Sequence, residues 1–109
     1  MNAKQQVLQL LGLARRAGKI VSGETFVLAQ LKTHKIKLVF LASDTAQKTA
    51  TSIKEKCHFY QIEVIDLFDR KELSAATNLA RSAIGITDDG FARKILQLLK
   101  KSFATKNDK

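Results

Sequence analysis

A chain of 109 residues corresponds to one domain, and a hydrophobic content of 45% is sufficient for a buried core. One cysteine excludes a disulfide framework and a cysteine-rich zinc site, and no apolar run approaches the ~20 residues of a membrane-spanning helix. Lysine and arginine total 19 against 10 acids, and the net charge of +9 favours a polyanionic partner. The alternative is that the lysines only keep the surface soluble.

Two helices joined by a short strand are predicted for the first third of the chain. Apolar residues at helical spacing define the first helix, from about residue 3 to residue 17: Val7, Leu10, Leu11 and Ala14. It is expected to end at Gly18, which favours a left-handed conformation. A short extended segment covers residues 19–21, and Ser22 is the expected N-cap of a second helix over residues 23–33.

The middle of the chain continues with a buried strand and a longer helix. Residues 37–42 are almost entirely apolar, as expected for a strand that is covered on both faces. Asp44 and Gln47 fit a capping box at the start of the next helix. Cys57 continues the apolar stripe of that helix, which indicates ordinary core packing. Residues 61–67 form the next predicted strand.

The last third repeats the order of helix, strand and helix. Asp69 and Glu72 fit a second capping box, which begins a short helix that ends at about residue 76. Residues 81–87 form the last strand, and Asp88 or Asp89 caps a final helix. Because helices and strands alternate along the chain, the sequence predicts a three-layer α/β/α sandwich.

Positive charge is concentrated at the two ends of the chain. Residues 1–37 carry a net charge of +6, residues 38–90 a net charge of −2 and residues 91–109 a net charge of +5. We expect the two basic ends to come together around the start of the second helix and to form a basic docking face. One domain is expected over residues 1–103, followed by a flexible basic tail at residues 104–109.

No catalytic or metal-binding arrangement is evident in the sequence. His34 lies in a polar turn, and His58 follows Cys57; adjacent helical side chains point about 100° apart, so Cys57 and His58 form neither a nucleophile–base pair nor a metal site. Glycine-rich phosphate loops of the Walker or dinucleotide type are missing. We therefore expect no enzyme activity, no cofactor and no metal. The absence of a signal-peptide pattern predicts a cytoplasmic protein that does not bind membranes.

Residues 14–25 (ARRAGKIVSGET) combine a basic helix end, a glycine turn, a short strand and a glycine at a helix start. Free amide groups at a helix start bind phosphate oxygens or base carbonyls, and nearby basic side chains contact phosphates. The candidate RNA-contacting residues of this segment are Arg15, Arg16, Lys19, Ser22, Gly23, Glu24 and Thr25.

Two interpretations of Glu24, the one acid among the first 37 residues, are open. Its carboxylate stabilises the helix dipole by about 0.3–1 kcal/mol, or it accepts hydrogen bonds from base N–H groups. Phosphates repel an acid, so an acid within a basic segment that binds RNA is suited to contact a base.

Residues 76–83 (ATNLARSA) join a short helix to a strand. They form either a plain connecting loop or a loop that packs small apolar side chains against an unstacked base while an arginine contacts phosphate. The candidate residues of this loop are Asn78, Leu79, Ala80 and Arg81.

Three segments, LGLARRAGKIVSGE, KLVFLASD and TSIKEKCHFYQIEVI, resemble the ribosomal protein L7Ae family, in particular its small bacterial, ribosome-associated members. The similarity extends over about residues 5–100. It implies a mixed four-stranded sheet between helices, no catalysis, and binding of kink-turn RNA, a sharply bent helix with tandem sheared G·A pairs. We expect a monomer that binds structured RNA, with ribosomal RNA or the ribosome as its partner.

The resemblance also assigns the RNA-reading positions. The family uses Gly-X-Asn-Glu at the start of its second helix and a lysine one turn later; here Glu24 matches the glutamate, whereas Gly23 and Val27 replace the asparagine and the lysine. A second site follows a Leu-Gly-X-Ala-X-Gly helix, in which Ser74 and Asn78 replace the glycines. Glu24, the backbone donors and the neighbouring basic residues are retained.

The function we favour is non-catalytic binding of structured RNA. The alternative is a basic protein-interaction module that docks an acidic protein partner. A metabolite-binding or catalytic domain would need a pocket with convergent polar groups, and a deep cavity near Asp44 or Asp66 would be the evidence for it.

Overall fold

A computed structural model describes residues 2–107, and it describes side chains as far as residue 100. Helices and strands alternate along this part of the chain. The helices are α1 (Ala3–Arg16), α2 (Glu24–Lys32), α3 (Gln47–Phe59), α4 (Arg70–Thr77) and α5 (Asp89–Asn107). The strands are β1 (Ile20–Ser22), β2 (Leu38–Leu41), β3 (Val64–Ile65) and β4 (Ala83–Ile86).

The four strands form one mixed sheet in the order β1-β4-β2-β3. β4 is antiparallel to both β1 and β2, whereas β2 and β3 are parallel. The ends of β1 and β2 therefore lie beside the start of β4, where Ser22 pairs with Ile84 and Leu41 pairs with Ala83. The loops that follow β1, β2 and β3 consequently emerge at the same end of the sheet as the loop that precedes β4.

Helices cover both faces of this sheet. Side chains alternate between the two faces of a strand. In β2, Leu38 and Phe40 pack in a core with residues of α1, α4 and α5, whereas Val39 and Leu41 pack in a second core with residues of α2 and α3. The three-layer α/β/α sandwich with a mixed four-stranded sheet is confirmed.

Three of the predicted helix ends are confirmed. The Glu72 N–H donates to Asp69 Oδ1 over 2.8 Å, and the Asp69 N–H donates to Glu72 Oε1 over 3.0 Å. At the start of α5, Asp88 Oδ2 accepts a hydrogen bond from the Phe91 N–H over 2.9 Å. Gly18, after α1, has a φ of 72°, as expected for a residue that ends a helix.

The capping box predicted for Asp44 and Gln47 is wrong. Ala46 occupies the N-cap position of α3, and no side chain caps this helix start. Asp44 Oδ1 instead accepts a hydrogen bond from the backbone N–H of Arg70 over 2.9 Å. The carboxylate therefore joins the loop after β2 to the start of α4.

The strands are shorter than the apolar runs in the sequence suggest. Of residues 61–67, only Val64 and Ile65 pair, and β3 lies at an edge of the sheet with β2 as its one neighbour. Gln61 has a φ of 59°, which is outside the extended region.

The last helix is longer than predicted. Helix α5 extends to Asn107, so the backbone of residues 104–107 continues the helix, and residues 108 and 109 lie outside the described part of the chain. The boundary expected at residue 104 between a domain and a flexible tail stays a prediction. None of the five described helices, α5 included, has both the length and the apolar character that are needed to cross a membrane.

Cys57 lies in the core between α2, α3 and the sheet, and its side chain is fully buried, as predicted. Burial raises the pKa of the Cys57 thiol from 9.0 to about 11, because a desolvated thiolate is unfavourable. The folded protein therefore holds this proton at pH values at which the unfolded chain has already released it.

The stability of the protein is expected to fall as the pH rises from 9 towards 11, because only the unfolded chain ionises Cys57 in this window. The contribution lost by pH 10.5 is about 2 kcal/mol. The free energy of unfolding in urea is measured at pH 8 and pH 10.5 for the wild type and for Cys57→Ala. All other titrating groups are common to the two proteins, so the difference between their pH dependences is the contribution of Cys57. The same pH dependence in the two proteins would contradict this assignment.

Candidate nucleic-acid interface

The two segments singled out in the sequence meet at one end of the sheet. The Gly23 N–H donates to the Ala83 C=O over 2.9 Å, which holds the start of α2 against the start of β4. Glu24, at the start of α2, and Arg81, in the loop before β4, line a common groove of about 440 Å³. Sheet pairing therefore brings together residues that are distant in the chain.

The loop after β2 and the start of α4 complete this groove. Arg70 Nη2 donates to Ser82 Oγ over 2.9 Å, and the Arg70 N–H donates to Asp44 Oδ1 over 2.9 Å. Both Arg70 and Asp44 line the groove together with Glu24 and Arg81. With two arginines and two acids, the groove itself carries no excess of positive charge.

Glu24 presents a free carboxylate to the groove. Its side chain is exposed, and among the side chains that the structure describes no cationic group lies within 4.0 Å of its carboxylate. Thr25, the next residue, is also exposed. The Glu24 oxygens are therefore available to accept hydrogen bonds from a ligand.

The backbone at the start of α2 is also open. Gly23 is the N-cap residue, with a φ of 98° and a ψ of 143°, and no side chain caps the helix. This conformation strains any residue that has a Cβ atom. Of the described helices, α2 and α3 lack a side-chain cap and begin at the groove, whereas Asn2, Asp69 and Asp88 cap the other three.

Ser22 does not have its predicted role, and Val27, one turn into α2, lies in the core. Ser22 is not the N-cap of α2, because it ends β1, where it pairs with Ile84. It is half-buried beside the groove. Val27, at the position where the resemblance places a lysine, is fully buried in the core beneath α2. The Val27 side chain therefore contributes to the core and does not line the groove.

Asn78 ends α4 in the left-handed conformation, with a φ of 61° and a ψ of 26°. The Asn78 N–H donates to the Ser74 C=O over 2.7 Å. Asparagine adopts this conformation more readily than other residues that have a side chain. Asn78 therefore makes the turn for which the resemblance implies a glycine, and the loop can leave the helix in the same way.

A small hydrogen-bond network fixes the loop that follows α4. Thr77 is buried; its hydroxyl donates to the Leu73 C=O over 2.8 Å and accepts from the Leu79 N–H over 3.2 Å. The Arg81 N–H donates to the Leu79 C=O over 3.0 Å. Leu79 is left half-buried, and Ala80 and Arg81 are exposed. The loop thus presents small apolar side chains and one cation.

The cations of the first segment do not lie at the groove. The Thr87 N–H donates to the Lys19 C=O over 2.9 Å, so Lys19 lies at the opposite end of β4 from Gly23, about 13 Å away along the strand. Arg15 is exposed at the end of α1. Arg16 lines a second groove, of about 570 Å³, between α1 and α4. Arg15, Arg16 and Lys19 therefore lie away from the groove.

No cation of residues 1–37, and none of the described side chains of α5, lines the groove, so the expectation that both basic ends gather around the start of α2 is wrong. Helix α5 begins just after β4, and β4 is antiparallel to β1, so the start of α5 lies at the opposite end of the sheet from Gly23. Lys100, farther along α5, lies near Glu63 and Asp66 at the β3 edge. The positive charge is therefore spread over the surface.

The groove beside Asp44 is the kind of cavity that a small-molecule site would need. Asp44, however, is engaged by the Arg70 N–H and anchors a loop. Within the described residues, no cluster of three or more histidine, cysteine, aspartate and glutamate side chains could hold a metal ion. The groove therefore offers hydrogen-bonding groups, and its titratable side chains do not converge on one point as those of a catalytic or metal site do.

Sequence reasoning missed Arg70 as a groove residue. Arg70 directly follows the Asp69 cap, and its sequence context indicates only the first residue of a helix. The available signal was the parallel pairing of β2 and β3, since the carboxyl ends of parallel strands meet at one end of a sheet. That pairing brings Arg70 next to Asp44.

Comparison with known proteins identifies relatives that cover most of the chain. Residues 5–96 match the model of the ribosomal protein L7Ae/L30e/S12e/Gadd45 family. The chain is 35% identical to the RNA-binding protein YlxQ of Enterococcus faecium over 97 residues, which cover 89% of this chain and 94% of that protein. It is 38% identical to the RNA-binding protein YlxQ of Bacillus subtilis over 91 residues, which cover 83% and 91%.

Two solved structures have the same fold. A protein of unknown function from Bacillus halodurans superposes with a TM-score of 0.82 at 37% identity, covering 86% of this chain and 96% of the other. A 15.5-kD RNA-binding protein from Giardia lamblia superposes with a TM-score of 0.78 at 18% identity, covering 94% and 88%; this likeness concerns the fold alone.

Replacing Gly23 with alanine is expected to destabilise the protein by about 1–3 kcal/mol, because the new Cβ would force a strained backbone conformation. Steric overlap does not contribute, since the nearest atom to that Cβ would be Phe26 Cδ2 at 3.8 Å. Urea unfolding measures the loss, and the matched control is Thr25→Ala at the neighbouring exposed position. Equal stability of Gly23→Ala and the wild type would show that the helix start tolerates other conformations.

Proposed function

The chain belongs to the ribosomal protein L7Ae/L30e/S12e/Gadd45 family, and from this premise we propose that it is a non-catalytic protein that binds structured RNA. The target is a kink-turn or a similarly bent helix, in ribosomal RNA. One observation carries the proposal: the free Glu24 carboxylate lies beside the uncapped start of α2, in one groove with Arg81. The names of the two bacterial relatives, both RNA-binding proteins, support it.

Base recognition takes place in the groove. The Glu24 carboxylate accepts hydrogen bonds from base N–H groups, and the backbone N–H groups at the start of α2 donate to base or phosphate oxygens. Because the groove holds two arginines and two acids, it does not attract RNA by net charge. Its contribution is selectivity between bases.

Phosphate contacts lie at the rim of the groove and farther from it. Arg81 is exposed at the rim, whereas Arg15 and Arg16, in the last turn of α1, and Lys19, before β1, contact phosphates outside the groove. Lys19, about 13 Å from Gly23 along the sheet, reaches a different part of the RNA backbone from Arg81. These contacts position the RNA without reading its sequence.

The loop after α4 contacts an unpaired base. Leu79 and Ala80 offer apolar surface, and Asn78 and the buried Thr77 fix the backbone that presents them. A base that is unstacked at a sharp bend packs on such a surface. The loop and the start of α2 thus bind opposite sides of the bend.

Glu24→Ala is expected to reduce discrimination between a kink-turn RNA and the same RNA with its sheared G·A pairs replaced by Watson–Crick pairs. The expected reduction is at least fivefold, since a good side-chain–base contact contributes about 1–3 kcal/mol of discrimination. Competition gel shifts measure the ratio of affinities. Glu55→Ala, which removes an exposed acid of α3, is the matched control and should leave the ratio unchanged. Unchanged discrimination by Glu24→Ala would exclude base reading by this residue.

Arg81→Ala is expected to weaken binding of both RNAs equally. It should also reduce the slope of log affinity against log salt concentration by about 0.7–0.9, because one phosphate loses the cation that neutralises it. Lys94→Ala, at an exposed position of α5, is the control. A salt slope that Arg81→Ala leaves unaltered would remove Arg81 from the interface.

Crosslinking in cells followed by sequencing of the bound RNA tests the identity of the target. Ribosomal RNA with a sharply bent helix at the crosslinked position is the expected result. Enrichment of other RNA classes would overturn the ribosomal target while leaving RNA binding intact. Retention of an acidic protein after nuclease treatment, with no RNA bound, would favour the protein-interaction alternative.

A further inference from the structure

Three aromatic rings cluster at the far end of α2 from the groove: His34, Phe59 and Tyr60. The ring centroids of Phe59 and Tyr60 are 4.9 Å apart, and those of His34 and Tyr60 are 5.7 Å apart; both pairs are close to perpendicular. Tyr60 is half-buried, and His34 is exposed. We refer to these three residues as the aromatic surface.

Phe59 is the most exposed large hydrophobic residue among the described side chains, at 74%. It contacts Tyr60 but belongs to neither of the two buried cores. Single exposed apolar residues are common, but an exposed ring that adjoins two further rings forms a continuous surface. Tyr60 packs against the core between α2, α3 and the sheet, but the fold does not account for the exposed Phe59 ring, since Ile53 and Cys57 already pack α3 on the core.

Two cations flank the aromatic surface. Lys32, in the last turn of α2, and Lys56, in the last turn of α3, line a cavity of about 200 Å³ together with Tyr60. Both lysines are exposed. Two acids lie nearby: Glu63 shares a cavity with Phe59, and Glu55 is one turn before Phe59 on α3. Rings and cations therefore adjoin each other, which is the combination that binds single-stranded nucleic acid.

We propose that the aromatic surface binds a single-stranded segment of RNA. Bases stack on Phe59 and Tyr60, and Lys32 and Lys56 contact the phosphates. Every base has an aromatic face, so this surface binds without strong sequence preference. Charge complementarity favours RNA over an apolar protein segment, because the lysines border the rings.

This binding goes beyond the proposed function of the groove and does not depend on it. Helix α2 has nine residues and is about 13 Å long. The groove lies at its start and the aromatic surface at its end. The two surfaces can therefore bind different parts of one RNA, a bent helix at the groove and an unpaired strand at the aromatic surface.

Fluorescence anisotropy of the full chain with a labelled oligouridylate of about ten nucleotides tests the proposal. Phe59→Ala should lower the affinity at least about fivefold, the effect of removing the ring on which one base stacks. Phe59→Leu should lower it as much, since leucine is apolar but cannot stack as a ring does. The double variant Lys32→Glu/Lys56→Glu should reduce the salt slope by about 0.7 for each phosphate that the lysines no longer neutralise.

Lys94→Glu, at an exposed position of α5, and Leu13→Ala, at an exposed apolar position of α1, are the matched controls. Both should leave the oligouridylate affinity within about twofold of the wild-type value. Circular dichroism checks that each variant is folded. Phe59 is exposed and Lys32 and Lys56 lie on helix surfaces, so the ring variants and the charge variants test the proposal independently.

The proposal is overturned if both Phe59→Ala and the double lysine variant bind the oligonucleotide as the wild type does. It is also overturned if Phe59→Leu retains full affinity, which would indicate simple apolar contact. A dimer in sedimentation experiments that Phe59→Ala dissociates would assign the surface to a second copy of the chain. A wild-type protein that binds oligouridylate but does not distinguish the kink-turn RNA from the RNA with Watson–Crick pairs would disprove only the function proposed for the groove.

Discussion

The antiparallel pairing of β1 with β4 places the start of α2 beside the loop that precedes β4. The hydrogen bond from the Gly23 N–H to the Ala83 C=O is the last contact of this pairing, and Glu24 follows it directly. β2 also runs antiparallel to β4, so the loop after β2 reaches the same end of the sheet. Sheet topology alone therefore gathers Glu24, Asp44 and Arg81 around one groove. A parallel β1 would place the start of α2 at the opposite end of the sheet.

Recognition and attraction are separated on this surface. The groove balances two acids against two arginines, and the net charge of +9 is spread over the rest of the molecule. Long-range attraction of a polyanion depends on that overall charge and falls with salt, whereas hydrogen bonds within the groove depend on local geometry. The proposed second site differs in this respect, because Lys32 and Lys56 lie beside the ring of Tyr60. Helix α2 joins the two sites as a rigid spacer.

Sequence patterns predicted a helix cap correctly where the bonding residues are neighbours in the chain. They failed where the side chain binds a residue that is remote in sequence. The Asp69–Glu72 capping box is confirmed because both partners lie within one helical turn. The one predicted for Asp44 is wrong because its carboxylate binds Arg70, which is 26 residues farther along the chain. The order of elements and the layers followed from alternating helices and apolar strands. The distance of Lys19 from the groove, and the aromatic surface, depend on strand register and helix packing, which one sequence does not encode locally.

We propose that the start of α2 and the loop after α4 bind the same bent RNA. Amide chemical-shift mapping by NMR, with a kink-turn RNA that has no single-stranded ends, tests it most directly. On addition of this RNA, we expect the largest chemical-shift changes at the amides of residues 23–25 and 79–81, and small changes along α5. Changes concentrated on α5, or spread evenly over the basic surface with residues 23–25 unaffected, would contradict it.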